Sequence, residues 1–249
     1  MDKKIGLVMA AGKGTRMKSD LPKVLFPVCG RPMVEYVLDV LEEVGVDRIV
    51  VIVGYRAELV REALRTRTGL EFVEQTEQLG TGHAVMVCRD HLKEHEGPVF
   101  VIAGDSPMIQ ADSVRALLED YERKPAACIL GTAHKDEPFG LGRIVRSADG
   151  QFSGIVEERD ATEEQRQITE VNMSYYVFRC PDLLGALEEI RPDNCQGEYY
   201  ITDVPGVLLK EGKAVRALPV LKPCEVLSIN TVDELKTVEA AMQEAGGVE

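Results

Sequence analysis

Short apolar runs alternate with helical patterns through the first half of the chain, and that alternation leaves few folds open. Ile5-Gly6-Leu7-Val8-Met9 and residues 48–53, 98–103 and 127–131 read as strands. Helices are expected between them at 33–44, 57–65, 81–92 and 112–123. Strand and helix in turn predict an α/β fold, a doubly wound mixed, mainly parallel sheet covered on both faces. The pattern then changes. Residues 141–157 alternate and turn at Asp149-Gly150, the mark of a hairpin. A strand at 171–178, helices near 181–189 and 202–211, and a final helix at 231–244 complete the reading. With 249 residues and no repeat, low-complexity segment or linker, a single domain is expected.

Charge narrows the partners. The chain carries a net −13, which argues against non-specific binding to nucleic acid or to an anionic membrane. Residues 10–31 run the other way, with Lys13, Arg16, Lys18, Lys23 and Arg31 against the single acid Asp20. Such a cluster suits a small anionic ligand, or else a solvated basic face. Cys29, Cys88, Cys128, Cys180, Cys195 and Cys224 form no Cys-x-x-Cys pair, so reduced thiols are expected. No signal peptide precedes the first strand and no apolar run reaches membrane-spanning length, so the expected location is the cytoplasm.

The basic cluster overlaps a glycine-rich loop that leaves the first strand, Met9-Ala-Ala-Gly-Lys-Gly-Thr-Arg-Met-Lys-Ser-Asp-Leu-Pro-Lys23. Gly12 and Gly14 let backbone N–H groups approach a ligand closely, and such loops suit phosphates. The spacing fits neither the Walker pattern nor the dinucleotide pattern, in which Met17 would have to be a third glycine. Asp105, in Gly104-Asp-Ser-Pro107, follows the strand 98–103, where a hard divalent cation bound to phosphates can lie; a turn-forming aspartate is the alternative. Asn230 offers a second oxygen ligand, or else caps the last helix, a task Thr231 can also perform. In Gln75-Thr-Glu-Gln-Leu-Gly-Thr-Gly-His-Ala84, glutamine amides can pair with both edges of a base, whereas Thr81 can cap a helix whatever the function. His91 and His95 share a helix face, and their charged neighbours make it a solvated one rather than a metal site.

Taken together, these segments resemble the sugar-nucleotide pyrophosphorylases, and among them the bacterial uridylyltransferase domains acting on N-acetylglucosamine 1-phosphate. The likeness runs in order along the whole chain, through Gly140-Leu-Gly-Arg-Ile144, Ile155-Val-Glu157, Glu170-Val-Asn172 and Asn194-Cys-Gln-Gly-Glu-Tyr-Tyr-Ile-Thr-Asp203. It implies a Rossmann-like sheet with a small, hairpin-containing sugar-binding lobe. Residues 1–135 would form mainly the nucleotide-binding half, 136–230 the sugar-phosphate-binding half, and 231–249 a terminal helix and tail. It further implies that Ala11, Gly12, Gln75, Gly80 and Thr81 hold the uridine. Gly14, Thr15, Arg16 and Lys23 would hold the triphosphate, and Asp105 and Asn230 would bind Mg²⁺. Gly140, Glu157, Asn172, Tyr200 and Thr202 would line the sugar-phosphate pocket. Arg16, Lys23 and Asp105 are the implied catalytic groups, and UTP and a sugar 1-phosphate the implied partners.

Three departures stand out. Met173-Ser174 replaces the usual Thr-Gly of this family, Ala103 a common Tyr, and the 249 residues include no hexapeptide-repeat acetyltransferase half. The expectation is therefore a single-function chain or a cut one, with acetylation elsewhere and oligomeric state open. Another sugar phosphate or base, or a non-catalytic sugar-nucleotide-binding module, are the alternatives.

Overall fold

The computed structural model describes residues 3–14, 17, 19–229 and 231–244. The expected alternation appears in β1 (Ile5–Ala10), α1 (Met33–Glu43), β4 (Arg48–Val53), α2 (Ala57–Ala63), β5 (Leu70–Glu74), β6 (Pro98–Ala103), α5 (Ala111–Arg123) and β7 (Cys128–His134). A two-stranded ribbon of β2 (Pro27–Val28) and β3 (Arg31–Pro32) precedes α1, and α3 (Thr81–Met86) and α4 (Arg89–Leu92) lie between β5 and β6. The second half contributes β8 (Gly142–Arg146), β9 (Phe152–Val156), α6 (Glu163–Arg166), β10 (Glu170–Arg179), α7 (Cys180–Glu189), α8 (Val204–Lys210), β11 (Val215–Leu218) and α9 (Val232–Glu244).

Along the main sheet the order is β11-β7-β10-β6-β1-β4-β5. Only β10 on that path runs against its neighbours, so the sheet is mixed and mainly parallel. Side chains alternate across the pleat and divide the core in two. Val8, Ala10, Val51 and Val53 pack with Val34, Val37, Leu38 and Leu41 of α1 and Val114 and Leu117 of α5. Leu7, Val50, Ile52, Val99 and Val101 meet Ala84, Val85, Leu92, Leu183, Val204 and Leu208 on the opposite face. The three-and-four spacing in α1 makes that helix amphipathic. It ends where Gly45, at φ +74°, donates to Glu42 O while Val46 donates to Leu41 O. Those paired bonds satisfy the last carbonyls in a form that favours glycine.

Sequence and structure differ in places. The helix expected at 81–92 is two helices, because Cys88 and His91 donate to carbonyls three residues back, Val85 and Cys88. Ala84, Val85, Cys88 and Leu92 all stay buried, so the apolar spacing conceals the break. The helix near 202–211 is a 3-10 turn at Ile201–Asp203 followed by α8. The hairpin is present as β8 and β9, with Gly150 at φ +80° in its turn, and it branches from the start of β10. No helix among the described residues is long and apolar enough to cross a membrane, and none of the six cysteines is paired.

The topology opens a crevice. From β1 the chain moves outward through β4 and β5 on one side, and β6 lies on the other. Such a reversal leaves space beyond the carboxyl ends of the strands. The segments leaving β1, β5 and β6 converge there. Tyr55 N–H donates to Ala11 O at 3.0 Å, Gln75 N–H to Val53 O at 2.8 Å and Gly104 N–H to Met9 O at 2.9 Å.

Candidate active site

A cavity of about 670 Å³ occupies this crevice. Of the residues named from sequence, Ala11, Gly12, Gly14, Lys23, Gln75, Gly80, Thr81, Asp105, Gly140, Glu157 and Thr202 line it. Thr15, Arg16 and Asn230 lie outside the described residues. Asn172 and Tyr200 are buried and do not belong to the lining.

Glycine shapes one wall at close approaches. A Cβ on Gly14, which has φ +66°, would lie 2.8 Å from Lys23 Cβ, so the loop presses on the lysine stem. A Cβ on Gly80, at φ +106°, would lie 2.5 Å from Tyr199 O. Backbone contact there joins the 75–84 segment to the 194–203 segment. Thr81 does not cap α3 with its side chain. Its Oγ1 accepts from Ile201 N–H at 3.1 Å and draws the second half of the chain to the same wall. Gln75 is held by its amide nitrogen, which donates to Gly80 O at 3.0 Å and lies 3.0 Å from His83 Nδ1.

Charge is concentrated where β6 ends. Lys23 Nζ lies 2.5 Å from Asp105 Oδ2, and both side chains are partly open to solvent, at 16% and 27% exposure. Lys13 also lines the cavity, with its ammonium 5.1 Å from the centre of the Tyr55 ring. Arg31 belongs elsewhere: it pairs with Glu35 and Asp39 of α1. The basic stretch therefore divides between the cavity and a helix face. Thr231 accepts from Glu234 N–H and donates its own N–H to Glu234 Oε2, closing a capping box at the start of α9. Thr231 thus performs the capping task.

The other end is built by the hairpin and by β10. Thr202 Oγ1 donates to Glu157 Oε1 at 3.0 Å. Burial pushes the Glu157 carboxyl above its ordinary value, and the charges of Asp160 and Asp203 add to the rise. A raised carboxyl binds its proton more tightly in the folded state, so the associated stabilisation is present below 4.5 and disappears as pH rises through the folded value. Glu157→Gln is therefore expected to melt above wild type at neutral pH, with the gap closing as pH falls toward 4.5. Melting curves across that range check it; a variant less stable at neutral pH refutes it.

Asn172 is held within its own strand. Its Nδ2 donates to Tyr176 OH at 2.7 Å, and its Oδ1 accepts from Ser174 N–H at 3.2 Å. Tyr200 OH accepts from Gln196 Nε2 at 2.6 Å. Lys13, from the basic cluster, and Ser174, from the unusual Met173-Ser174 pair, line the cavity too. Sequence reasoning gave no role to Gln78 and Glu198, which lie inside quoted motifs where only their neighbours drew assignments. His91 and His95 sit in a separate cavity of about 360 Å³ with Arg48. His91 Nδ1 is 2.8 Å from Glu71 Oε2, and His95 Nε2 is 3.3 Å from Pro98 O, so each ring has a structural partner.

Comparison with known proteins places this architecture. The chain is 41% identical over 244 residues to the bifunctional protein GlmU of Bacillus licheniformis, covering 98% of this chain and 53% of that protein. It is 45% identical over 238 residues to the bifunctional protein GlmU of Streptococcus gordonii, covering 95% and 51%. The chain thus spans about half the length of the curated relatives it matches. A UDP-glucose pyrophosphorylase solved with UDP-glucose shares the fold with a TM-score of 0.77 at 19% identity, over 98% of this chain and 100% of that one. A putative glucose-1-phosphate thymidylyltransferase from Bacillus anthracis also gives 0.77, at 20% identity over 97% and 96%. The MobA-like NTP transferase domain model matches residues 6–198, which include the glycine loop, the Lys23–Asp105 pair and the hairpin, and the chain belongs to that family.

Proposed function

We propose that this chain transfers a uridylyl group from UTP to N-acetylglucosamine 1-phosphate and releases pyrophosphate. One observation carries the reading: a single cavity is walled by the glycine loop, Lys23 and Asp105 at one end and by Gly140, Glu157 and Thr202 at the other. A nucleotide and a sugar phosphate can lie there end to end. The motif resemblance across the whole chain and the identity to GlmU proteins support the choice of substrates.

In this reading Ala11, Gly12, Gln75, Gly80 and Thr81 face the uridine, while Gly14, Thr15, Arg16 and Lys23 hold the triphosphate. Gly140, Glu157 and Thr202 face the sugar phosphate directly. Asn172 supports it from behind the cavity surface through Ser174, and the buried Tyr200 directly precedes Ile201 and Thr202 of the cavity wall. Both reactants are anions; at about 4 Å two unit charges repel by roughly 4 kcal/mol at an effective dielectric near 20. Lys23 offsets that repulsion and stabilises charge developing on the departing pyrophosphate. A sugar 1-phosphate oxygen attacks the α-phosphorus, and the bond from that phosphorus to the pyrophosphate oxygen breaks. The attacking phosphate is already ionised at neutral pH, so the chain needs no general base, and positioning does most of the work.

Among the described residues no three His, Cys, Asp or Glu side chains form a metal cage. Asp105 offers one hard oxygen donor on the cavity wall. This fits Mg²⁺, which takes one or two carboxylates and completes its shell with substrate phosphates and water. Asp105 and Asn230 would hold the ion, which supplies charge neutralisation at the phosphates when bound.

Pyrophosphate release measured with UTP, CTP and dTTP against several sugar phosphates tests the proposal. Release is expected with UTP and N-acetylglucosamine 1-phosphate together, and not with UTP alone. Absence of release with every pair overturns it in favour of a non-catalytic binding module.

A further inference from the structure

Three non-glycine residues among those described have positive φ: Cys29, Arg56 and Ser174. Only Ser174 lines the cavity. It sits at φ +61°, in a bulge where the pairing of β10 with β7 shifts between Asn172 and Tyr175. Glycine adopts this backbone conformation freely; serine does so at a cost. Such strain at a binding surface points to a role for the side chain.

The sheet register locates that role. β10 pairs with β6 from Arg179↔Pro98 to Tyr176↔Val101, and there the pairing stops. The bulge that carries Ser174 begins just beyond this last pair, and β6 runs on to Ala103, its last residue. Met9 pairs with Ala103 from the other side. Met9, Ala103 and Ser174 all line the cavity, near the point where β10 leaves β6. Ala103 contributes only a methyl group, which leaves room above it.

The surroundings are polar. Asn172 holds the Ser174 N–H, and Glu157 faces the same cavity. A Cβ on Gly142 would meet both Glu157 Oε1, at 3.5 Å, and Asn172 Cβ, at 3.6 Å, so these two side chains flank one spot. The fully buried Tyr176 phenol hydrogen-bonds the side chains of Asn172 and Ser174, has the Glu157 charge nearby, and holds its proton through burial.

We infer that Ser174 is a specificity-determining contact, its hydroxyl hydrogen-bonding a polar substituent of the sugar that enters the space above Ala103, with Asn172 as the residue that positions it. The ligand class is a sugar phosphate bearing a hydroxyl or amide group on the side facing the sheet. The inference rests on the uridylyl-transfer reading.

Steady-state pyrophosphate release tests it, with N-acetylglucosamine 1-phosphate varied at saturating UTP and then the reverse. Ser174→Ala removes the hydroxyl and keeps the strain. It is expected to raise the sugar-phosphate KM about 3- to 10-fold, the loss of one neutral hydrogen bond, with the UTP KM unchanged within about twofold. Ser174→Gly should give the same KM change together with a Tm roughly 1–4 °C above that of Ser174→Ala, because the strain is gone. A wild-type sugar-phosphate KM in Ser174→Ala, or equal rises in both KM values, overturns the inference and leaves uridylyl transfer standing. A wild-type protein that turns over no sugar phosphate at all overturns the reading itself, and the inference with it.

Discussion

Lys23→Ala is expected to lower turnover by about a hundredfold or more, equivalent to about 2.7 kcal/mol of transition-state stabilisation. The same substitution should change folding stability by about 1 kcal/mol at most, because a pair partly open to solvent contributes little to the fold. Lys23 Nζ and Asp105 Oδ2 lie 2.5 Å apart on the cavity wall, so each neutralises the other in the ligand-free protein. A triphosphate offers the lysine a stronger partner and leaves the carboxylate to other company. Asp105→Ala should be about as damaging. The double variant should be little worse than either single one, because groups that act as a unit lose their function together. Turnover and melting temperature measured on the three variants decide the matter. Near-wild-type turnover in a folded Lys23→Ala protein removes the residue from the chemistry.

Arg143→Ala is expected to lower the melting temperature by roughly 6–12 °C, from a loss of about 3 kcal/mol in a domain of this size. The side chain is 2% exposed. It donates to the Leu141 carbonyl, to Glu158 Oε2 at 2.6 Å and to Arg166 O at 3.5 Å. The Glu158 carboxyl also accepts from Gly140 N–H at 3.1 Å. Burial would raise that carboxyl, yet the hydrogen bonds from Arg143 and Gly140 hold it below its ordinary value. Removing the guanidinium strips a shielded anion and two carbonyls of their partner, and the remaining contact with Arg166, at 3.6 Å, keeps the loss near the lower end for such pairs. The same change loosens Gly140 on the cavity rim, so the sugar-phosphate KM should rise more than the UTP KM. A melting temperature within about 2 °C of wild type would falsify this account of the pair.

The parts of the fold that could be read from sequence are those where one force decides. β1, β6 and residues 49–53 of β4 are uninterrupted apolar runs, and burial on both faces explains them. The edge strands carried weaker signals. In β11, Val-Arg-Ala-Leu, Arg216 bonds to Asp120 of α5, and the strand pairs on one side only. The ribbon of β2 and β3 is too short to show a period. At the site, the glycine loop and Asp105 could be read because both follow strands whose carboxyl ends face a crevice. The arrangement around Asn172 could not. It depends on a bulge that faces two different neighbours, and no local pattern announces a register shift. Ser174 was visible as an unusual residue, but its meaning required the backbone angle.

The cavity draws its wall from segments running from Met9 to Thr202, so no single short segment of the chain contains it. Occupancy is consequently coupled to integrity of the whole chain rather than to any one part. A compound present at about a hundred times its dissociation constant adds roughly 2.7 kcal/mol against global unfolding. Resistance to protease throughout the sequence, far from the crevice as well as near it, thereby becomes a measure of what the crevice holds.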